Sequence, residues 1–560
     1  MSRTASMLVV CFFVSTLCFT QSAVTSPAKQ LEQATTQAHA LYEKHEYSQA
    51  AALLEKLAAD STIMALPDWP DALYSLACYE ALAGHTDKAL TALEQAFYCG
   101  TTVTAGQLEK DSDLTSLHNE PAFKALVVSI TRQEAVWKDN VALATAYKPV
   151  LTEEDKVAGL SKFWSEARFN FPFFGRLAGM DWDGLYMEYL AKVREAKTTT
   201  DYYRVMMRFA AALKDGHTNV YPPPQLYDAL YAAPGLRTAL IDGTVVVTSV
   251  VDPALRSAGW KAGDVILKIN DRDVHEYAEA EVAPYASSST RQDREVRTYN
   301  YYLLAGDVNQ ALLLTVEDAT GQHEVRKLTR LPANATTAAL FKLPGAEFRL
   351  LPGNFAYLAV NEFEDDSGPK TLLDHLSEIQ SAKGLILDVR QNGGGNSQNA
   401  VSILQVLAST PFQWERERTP KYRAVYRVYG PPQGWEILEQ PSFQPDPKHH
   451  LGLPVAVLTS AATFSAGEDL VAMFDAMHRG IIVGESTGGS TGQPFSFKLP
   501  GGGSARICTK DTRAPDGKVF MGVGIQPQVT VKPSVADIRS GKDAALDRAV
   551  EVLSKSGTAP

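Results

Sequence analysis

The sequence predicts a multidomain chain of class α plus α/β, in which N-terminal helical repeats and a helical cap precede a β-rich domain and an α/β core. Three observations predict it. At 560 residues the chain exceeds what one hydrophobic core can organise, so about three or four units of roughly 100 to 200 residues are expected. A composition 45% hydrophobic and 21% charged supplies enough apolar side chains to pack those units. The apolar pattern also changes along the chain, from helical, to strand-rich, to strands alternating with helices.

The first segment, 1–23, reads as a signal peptide. Arg3 precedes an uncharged run, MLVVCFFVSTLCF, which ends in the small-residue stretch QSAVTS, with cleavage expected near Ala23. The run is shorter than a spanning helix requires. The expectation is therefore an exported protein, periplasmic or secreted, with no integral membrane segment in the mature chain. Cys18 follows Leu17 rather than the small residues a lipid-modified cysteine needs, which argues against a lipoprotein. The formal charge of −11 becomes one unit more negative when Arg3 leaves. No basic patch offers itself to phosphates, so nucleic acid is excluded as a partner. Cys78, Cys99 and Cys508 show no CxxC spacing for metal or redox work and read as buried filler.

Residues 28–135 carry a helical pattern. DALYSLACYEALAGHTDKALTALEQAFYCG places Leu73, Leu76, Ala77 and Tyr79 before Gly84, then Ala89, Leu90, Leu93 and Phe97, which is a helical hairpin. ALYEKHEYSQAAALLEKLA repeats the scheme, and the pair resembles tetratricopeptide repeats, whose stacking would offer a surface to a protein partner. A second helical stretch, rich in aromatics such as Phe163, Trp164, Phe171 and Phe174, fills 153–222 and ends at KDGHTNVYPPP, just where His217 stands. Residues 235–331 are β-rich. There SAGWKAGDVILKINDRDV predicts a strand and hairpin and resembles the carboxylate-loop region of PDZ domains, which bind peptide ends by strand addition. In 343–535 the runs FAYLAV, GLILDV, VAVLT and GIIVG alternate with helical patterns, as in an α/β fold. GKDAALDRAVEVLSKS, within 536–560, closes the chain with an amphipathic helix and tail.

Two segments of the α/β part invite chemistry. GLILDVRQNGGGNS runs a buried strand into Gly393, Gly394 and Gly395, where free backbone N–H groups can line an oxyanion hole. TFSAGED puts Ser465 at a helix start, where the Ala466 amide and the helix dipole suit the oxyanion formed when a serine attacks a carbonyl. Ser465 and Glu468 also spell S-x-x-E, a capping box in which the hydroxyl only satisfies an orphan N–H; taken locally, that reading is the stronger.

The order of LKDGHTNVYPP, a PDZ-like module, GLILDVRQNGGG, TFSAGED, VGESTGGSTGQP and GVGIQPQVTV is similar to the C-terminal processing (tail-specific) peptidases and their tricorn and interphotoreceptor retinoid-binding relatives, over roughly residues 153 to 555. The resemblance implies a crotonase-like (ClpP-like) ββα catalytic core, capped by the helices of 153–222. It also implies Ser465 as nucleophile and an oxyanion hole from Gly393, Gly394 and Ala466. The lysine base of the processing branch falls here on Ser490 and is absent. The histidine base of the tricorn-like branch falls on His217. With an ordinary imidazole pKa near 6.5, activity would fall below about that pH. The glutamate expected before GVG is Met521, which leaves the imidazole's orienter open among Asp215, Glu485, Ser490 and Asp516.

The function expected is a serine-type peptidase acting on protein or peptide substrates, with no cofactor and no metal. Two alternatives stand beside it: a binding scaffold of the same fold that has lost catalysis, supported by Met521, and an acyl-transfer enzyme using only the glycine turn.

Overall fold

The computed structural model describes residues 26–430 and 433–556. The signal peptide read from 1–23, with Cys11 and Cys18, lies outside the described residues. The chain divides into two compact units at Lys138 and Asp139.

The first unit is helical. Helices Pro27–Tyr42 and Tyr47–Leu57 form one hairpin, Trp69–Leu82 and Thr86–Cys99 another, and Pro121–Trp137 follows. Gly84 makes the second hairpin's turn at φ 82°, in the left-handed region that glycine enters without a Cβ clash. Trp69, Leu73, Ala77, Ala89, Leu93 and Phe123 share one core. Of the three cysteines read as buried filler, Cys78 and Cys508 are buried, but Cys99 is exposed. It is the last residue of its helix, beyond the buried stripe that ends at Ala96.

The second unit opens with helices Glu153–Asn170, Trp182–Glu195 and Thr199–Ala211, started by side-chain caps from Thr152, Asp181 and Thr198. Their aromatics hold them together: Trp182 stacks on Phe209 at 4.8 Å, and Phe163 meets the same ring edge-on. After Ala211 the chain turns through Lys214 at φ 48° into the short strand Asn219–Tyr221, which pairs antiparallel with Ser504–Cys508.

The β-rich stretch forms a mixed-length antiparallel sheet in the order Leu236–Ile241, Thr244–Val250, Val265–Ile269, Leu312–Glu317, His323–Leu328. Arg272–Asp273 folds back on Val265–Ile269 as the hairpin the sequence suggests. The sequence reading is corrected between these strands. Residues 274 to 302 are largely helical, including Val274–Tyr277 and Arg291–Glu295. Thr290 caps the latter through the Asp293 N–H at 3.1 Å, while the strong β-runs on both sides masked this pattern.

The core sheet runs in the order Val529–Thr530, Ile481–Gly484, Val455–Thr459, Leu385–Asp388, Phe355–Val360, Ala346–Leu351. All neighbours are parallel except the last two. Alternate residues face opposite sides, as strand geometry requires. Leu385, Leu387, Val455 and Val457 pack against helices Ser397–Leu407 and Ala466–Ala476. Ile386, Ala456 and Leu458 pack with Ala549 and Leu553 of the last helix, Ala544–Ser556. Burial on both faces explains why these strands read as continuous apolar runs. A further sheet of Arg416–Tyr422, Gln433–Ile437 and Asp511–Arg513 had no signal in the sequence reading, because its central strand is mostly charged.

Candidate active site

Two loops meet because their strands are neighbours. Asp388 lies opposite Leu458 in parallel register, so the glycine turn after one strand and the Thr463–Ser465 turn after the other leave the sheet at the same edge, where α/β folds leave room for a site. Asn392, fully buried, ties the loops together. Its carbonyl accepts the Phe464 N–H at 2.9 Å, its Oδ1 accepts the Gly394 N–H at 2.9 Å, and its Nδ2 donates to the Val360 carbonyl at 3.1 Å. Sequence reasoning passed over this residue; its place between a buried strand and three glycines was the available signal.

Ser465 stands at φ 56° and ψ −126°, a conformation that costs a non-glycine residue about 1–3 kcal/mol and persists only where the surroundings enforce it. Here they do: its N–H donates to the Ser490 carbonyl at 3.0 Å, and its own carbonyl accepts the amides of Glu468 and Asp469 at 2.7 and 3.0 Å. The hydroxyl makes no capping hydrogen bond. It lies 3.1 Å from His217 Nε2. The capping box suggested by S-x-x-E is therefore not formed. Glu468 turns to another loop instead, accepting from the Thr487 hydroxyl and from the amides of Gly489 and Ser490 at 2.8 and 2.7 Å.

His217 arrives from the far end of the chain. Its turn is pinned by Asp215, which accepts the Thr218 hydroxyl at 2.7 Å and the Ser289 hydroxyl at 3.2 Å, while Ser289 Oγ accepts the Gly216 N–H at 3.0 Å. A Cβ on Gly216 would come within 2.8 Å of the Phe464 ring and 3.0 Å of Ser490 Oγ, so only glycine lets the turn pass so close. The imidazole stacks on Phe464 with centroids 4.7 Å apart, and its Nδ1 lies 2.8 Å from Ser490 Oγ. For Nε2 to accept the Ser465 proton, Nδ1 must carry the ring hydrogen and donate it to Ser490 Oγ, a tautomer that both hydroxyl partners permit.

The ring's electrostatics correct the expectation of an ordinary imidazole. Burial, followed by the positive charges of Arg506, Arg297 and Lys510, holds His217 well below its usual 6.5. Burial also pushes Glu468 up to about 8, against the hydrogen bonds from Thr487, Ser490 and Gly489 that favour its charged form.

Of the four residues left open as orienters, Ser490 is the one in contact with the imidazole. Asp215 serves the histidine's turn instead, and Asp516 pairs with Lys518 at 3.0 Å. Glu485 is not among the ring's hydrogen-bond partners. Met521 is buried, and its sulfur accepts the Thr491 N–H at 3.0 Å, so it steadies the loop that bears Ser490.

The two glycine amides differ. The Gly394 N–H is taken up by Asn392, whereas those of Gly393 and Ala466 have no acceptor among the described residues. What Gly394 contributes is space: at φ 109° a Cβ there would fall 2.6 Å from Ser465 Cβ and 3.2 Å from the Ala466 nitrogen. The assembly thus offers a hydroxyl on a strained backbone turn, a neutral buried imidazole on it, a second hydroxyl behind the imidazole, and two unengaged amides beside the first. The β-rich domain braces it: Thr290 Oγ1 donates to the Gly488 carbonyl at 2.7 Å, and Gln292 Nε2 to those of Thr487 and Val523 at 3.0 and 2.8 Å.

Comparison with known proteins extends this geometry. Residues 354–531 match the model of peptidase family S41, and residues 160–211 match that of the tricorn protease C1 domain. The chain is 24% identical over 370 residues, 64% of its length and 73% of the relative's, to a chloroplastic C-terminal processing peptidase of Tetradesmus obliquus. It is 30% identical over 182 residues to a carboxyl-terminal-processing protease of Synechocystis sp., spanning 32% of this chain and 39% of that one. The solved structure of mature CPAF complexed with lactacystin is similar with a TM-score of 0.56 at 13% identity, covering 72% of this chain and 98% of that one; this likeness speaks for the fold alone.

Proposed function

We propose that the chain, whose residues 354–531 match the model of peptidase family S41, is a serine peptidase with Ser465 as its nucleophile, His217 as its general base and Ser490 as the group that orients the imidazole. Ser465 Oγ attacks the scissile carbonyl while His217 Nε2 takes its proton. The N–H groups of Gly393 and Ala466 receive the charge developing on the carbonyl oxygen, helped by the positive end of helix Ala466–Ala476. The imidazolium then returns the proton to the leaving amine, and a water deprotonated by the same ring hydrolyses the acyl-enzyme. The substrates are polypeptides cut toward their C-terminal ends, in keeping with the names of the relatives. The uncharged run Met7–Phe19 supports export as the route to them.

The observation that carries this reading is the unbroken chain Ser465 Oγ, His217, Ser490 Oγ, at 3.1 and 2.8 Å. A fluorophosphonate probe should label the protein stoichiometrically and fail to label Ser465→Ala. Absence of labelling in folded wild-type protein, or labelling that survives Ser465→Ala, overturns it.

The pH dependence follows from the depressed imidazole. The base must be neutral, and its protonation is deferred to well below 6.5, so kcat/KM should hold steady as pH falls through 6.5 and decline only further down. In stability the sign is the same. The unfolded chain takes up this proton near 6.5 while the folded one refuses it, so folding loses free energy as pH falls below 6.5, until the folded pKa is reached. A kcat/KM profile with an acid limb at or above 6.5 would show that the ring is not held in this environment.

A further inference from the structure

Two consecutive acids follow the serine turn, and both are buried in the first turn of helix Ala466–Ala476. Their oxygens reach two different loops. Glu468 Oε1 accepts the Gly489 N–H and the Thr487 hydroxyl, and its Oε2 accepts the Ser490 N–H. Thr487 Oγ1 in turn accepts the Ile525 N–H at 2.7 Å. Asp469 Oδ1 accepts the Thr491 hydroxyl and its Oδ2 the Ser397 hydroxyl, both at 2.6 Å. Ser397 opens the helix that follows the glycine turn. One helix turn therefore holds the loop bearing Ser490 with one acid, and joins that loop to the helix behind Gly393 and Gly394 with the next.

We propose that Glu468 and Asp469 are positioning residues for catalysis. Glu468 fixes the backbone of Gly489 and Ser490 so that the Ser490 hydroxyl meets His217 Nδ1, and Asp469 fixes the spacing between that loop and the glycine turn. The inference rests on the roles given above to Ser465, His217 and Ser490.

The two acids differ in what could replace them, and the difference makes the inference testable. The backbone partners of Glu468 are N–H groups, which only donate, and one faces each carboxyl oxygen; both oxygens can accept from them whether or not the acid carries a proton. A glutamine would set its own NH2 against one of them whichever way the amide turned. The partners of Asp469 are hydroxyls, which both donate and accept, so an asparagine can satisfy both. A role in packing alone would not separate these two isosteric changes.

The test is kinetic, on the full chain, in wild type and in Glu468→Gln, Asp469→Asn, Asp469→Ala and Ser490→Ala, with the fluorophosphonate labelling rate recorded beside peptide turnover. Glu468→Gln should lower kcat by about tenfold or more, with KM little changed, since an opposed buried donor pair is costly. Asp469→Asn should stay within about threefold of wild type, while Asp469→Ala falls by about tenfold. In a Ser490→Ala background Glu468→Gln should cost less than about threefold more, because the residue it positions has gone. Glu468→Gln close to wild type, or a loss that multiplies fully with that of Ser490→Ala, overturns the proposal. If Glu468→Gln does not fold, Thr487→Val withdraws one of the three donors; it should lower kcat severalfold in wild type and hardly at all in Ser490→Ala, and equal losses in both backgrounds overturn the proposal. A wild-type protein that the probe does not label defeats instead the underlying roles of Ser465 and His217, so the two failures are distinct.

Discussion

His217→Ala is expected to lower peptide turnover by about 10⁴-fold, comparable to the loss in Ser465→Ala, because a serine hydroxyl without a base to take its proton is a poor nucleophile. The two losses should not multiply. Once either partner is gone the other has nothing to act on, so the double variant should be about as slow as either single one. The effect should fall on kcat with little change in KM, since the imidazole stands against Phe464 and Ser490. Turnover by His217→Ala within about tenfold of wild type would remove the imidazole from the mechanism. Removing a buried neutral side chain leaves a cavity, so the thermal midpoint should be recorded with the rates; a folded but inactive protein is the expected outcome.

Gly394→Ala is expected to be strongly damaging, though less so than His217→Ala, and Gly393→Ala mild. At Gly394 the added methyl would lie 2.6 Å from Ser465 Cβ in a backbone conformation of φ 109°, so either the serine turn or the glycine turn must move. Displacement of a reacting group by about 1 Å is enough to cost about a hundredfold in rate. At Gly393 a Cβ meets nothing within 4 Å, and the backbone N–H proposed to receive the oxyanion is retained. Rates for the two alanine variants should therefore differ by about two orders of magnitude. Equal losses would mean that the two positions do not divide the work between an amide and a space.

Much of this was legible before any coordinates. The helical hairpins around Gly84 and the apolar strands FAYLAV, GLILDV, VAVLT and GIIVG are local features, written in periodicity and breakers. The meeting of Ser465 and His217 beside the glycine turn was expected from the order of their motifs, and the structure brings the two side chains to 3.1 Å. The capping box was misread because S-x-x-E is a local pattern, whereas Glu468 is drawn off by two backbone donors some twenty residues away. The helices between 274 and 302 were missed because their support is tertiary: Gln292 and Thr290 are anchored by carbonyls of the core domain.

By itself the sequence determined which chemical groups exist and which local elements carry them: a serine at a helix start, a histidine after a helix stop, and glycines where a strand ends. The tertiary structure decided how those groups are used. Bringing together residues 248 and 273 positions apart depends on strand order, on the brace from the β-rich domain and on the bends at Gly216 and Gly394. Burial then gave His217 and Glu468 proton affinities unlike those of the free side chains. Such shifts arise from desolvation and from charges contributed by distant segments, and neither quantity exists until the chain has closed around them.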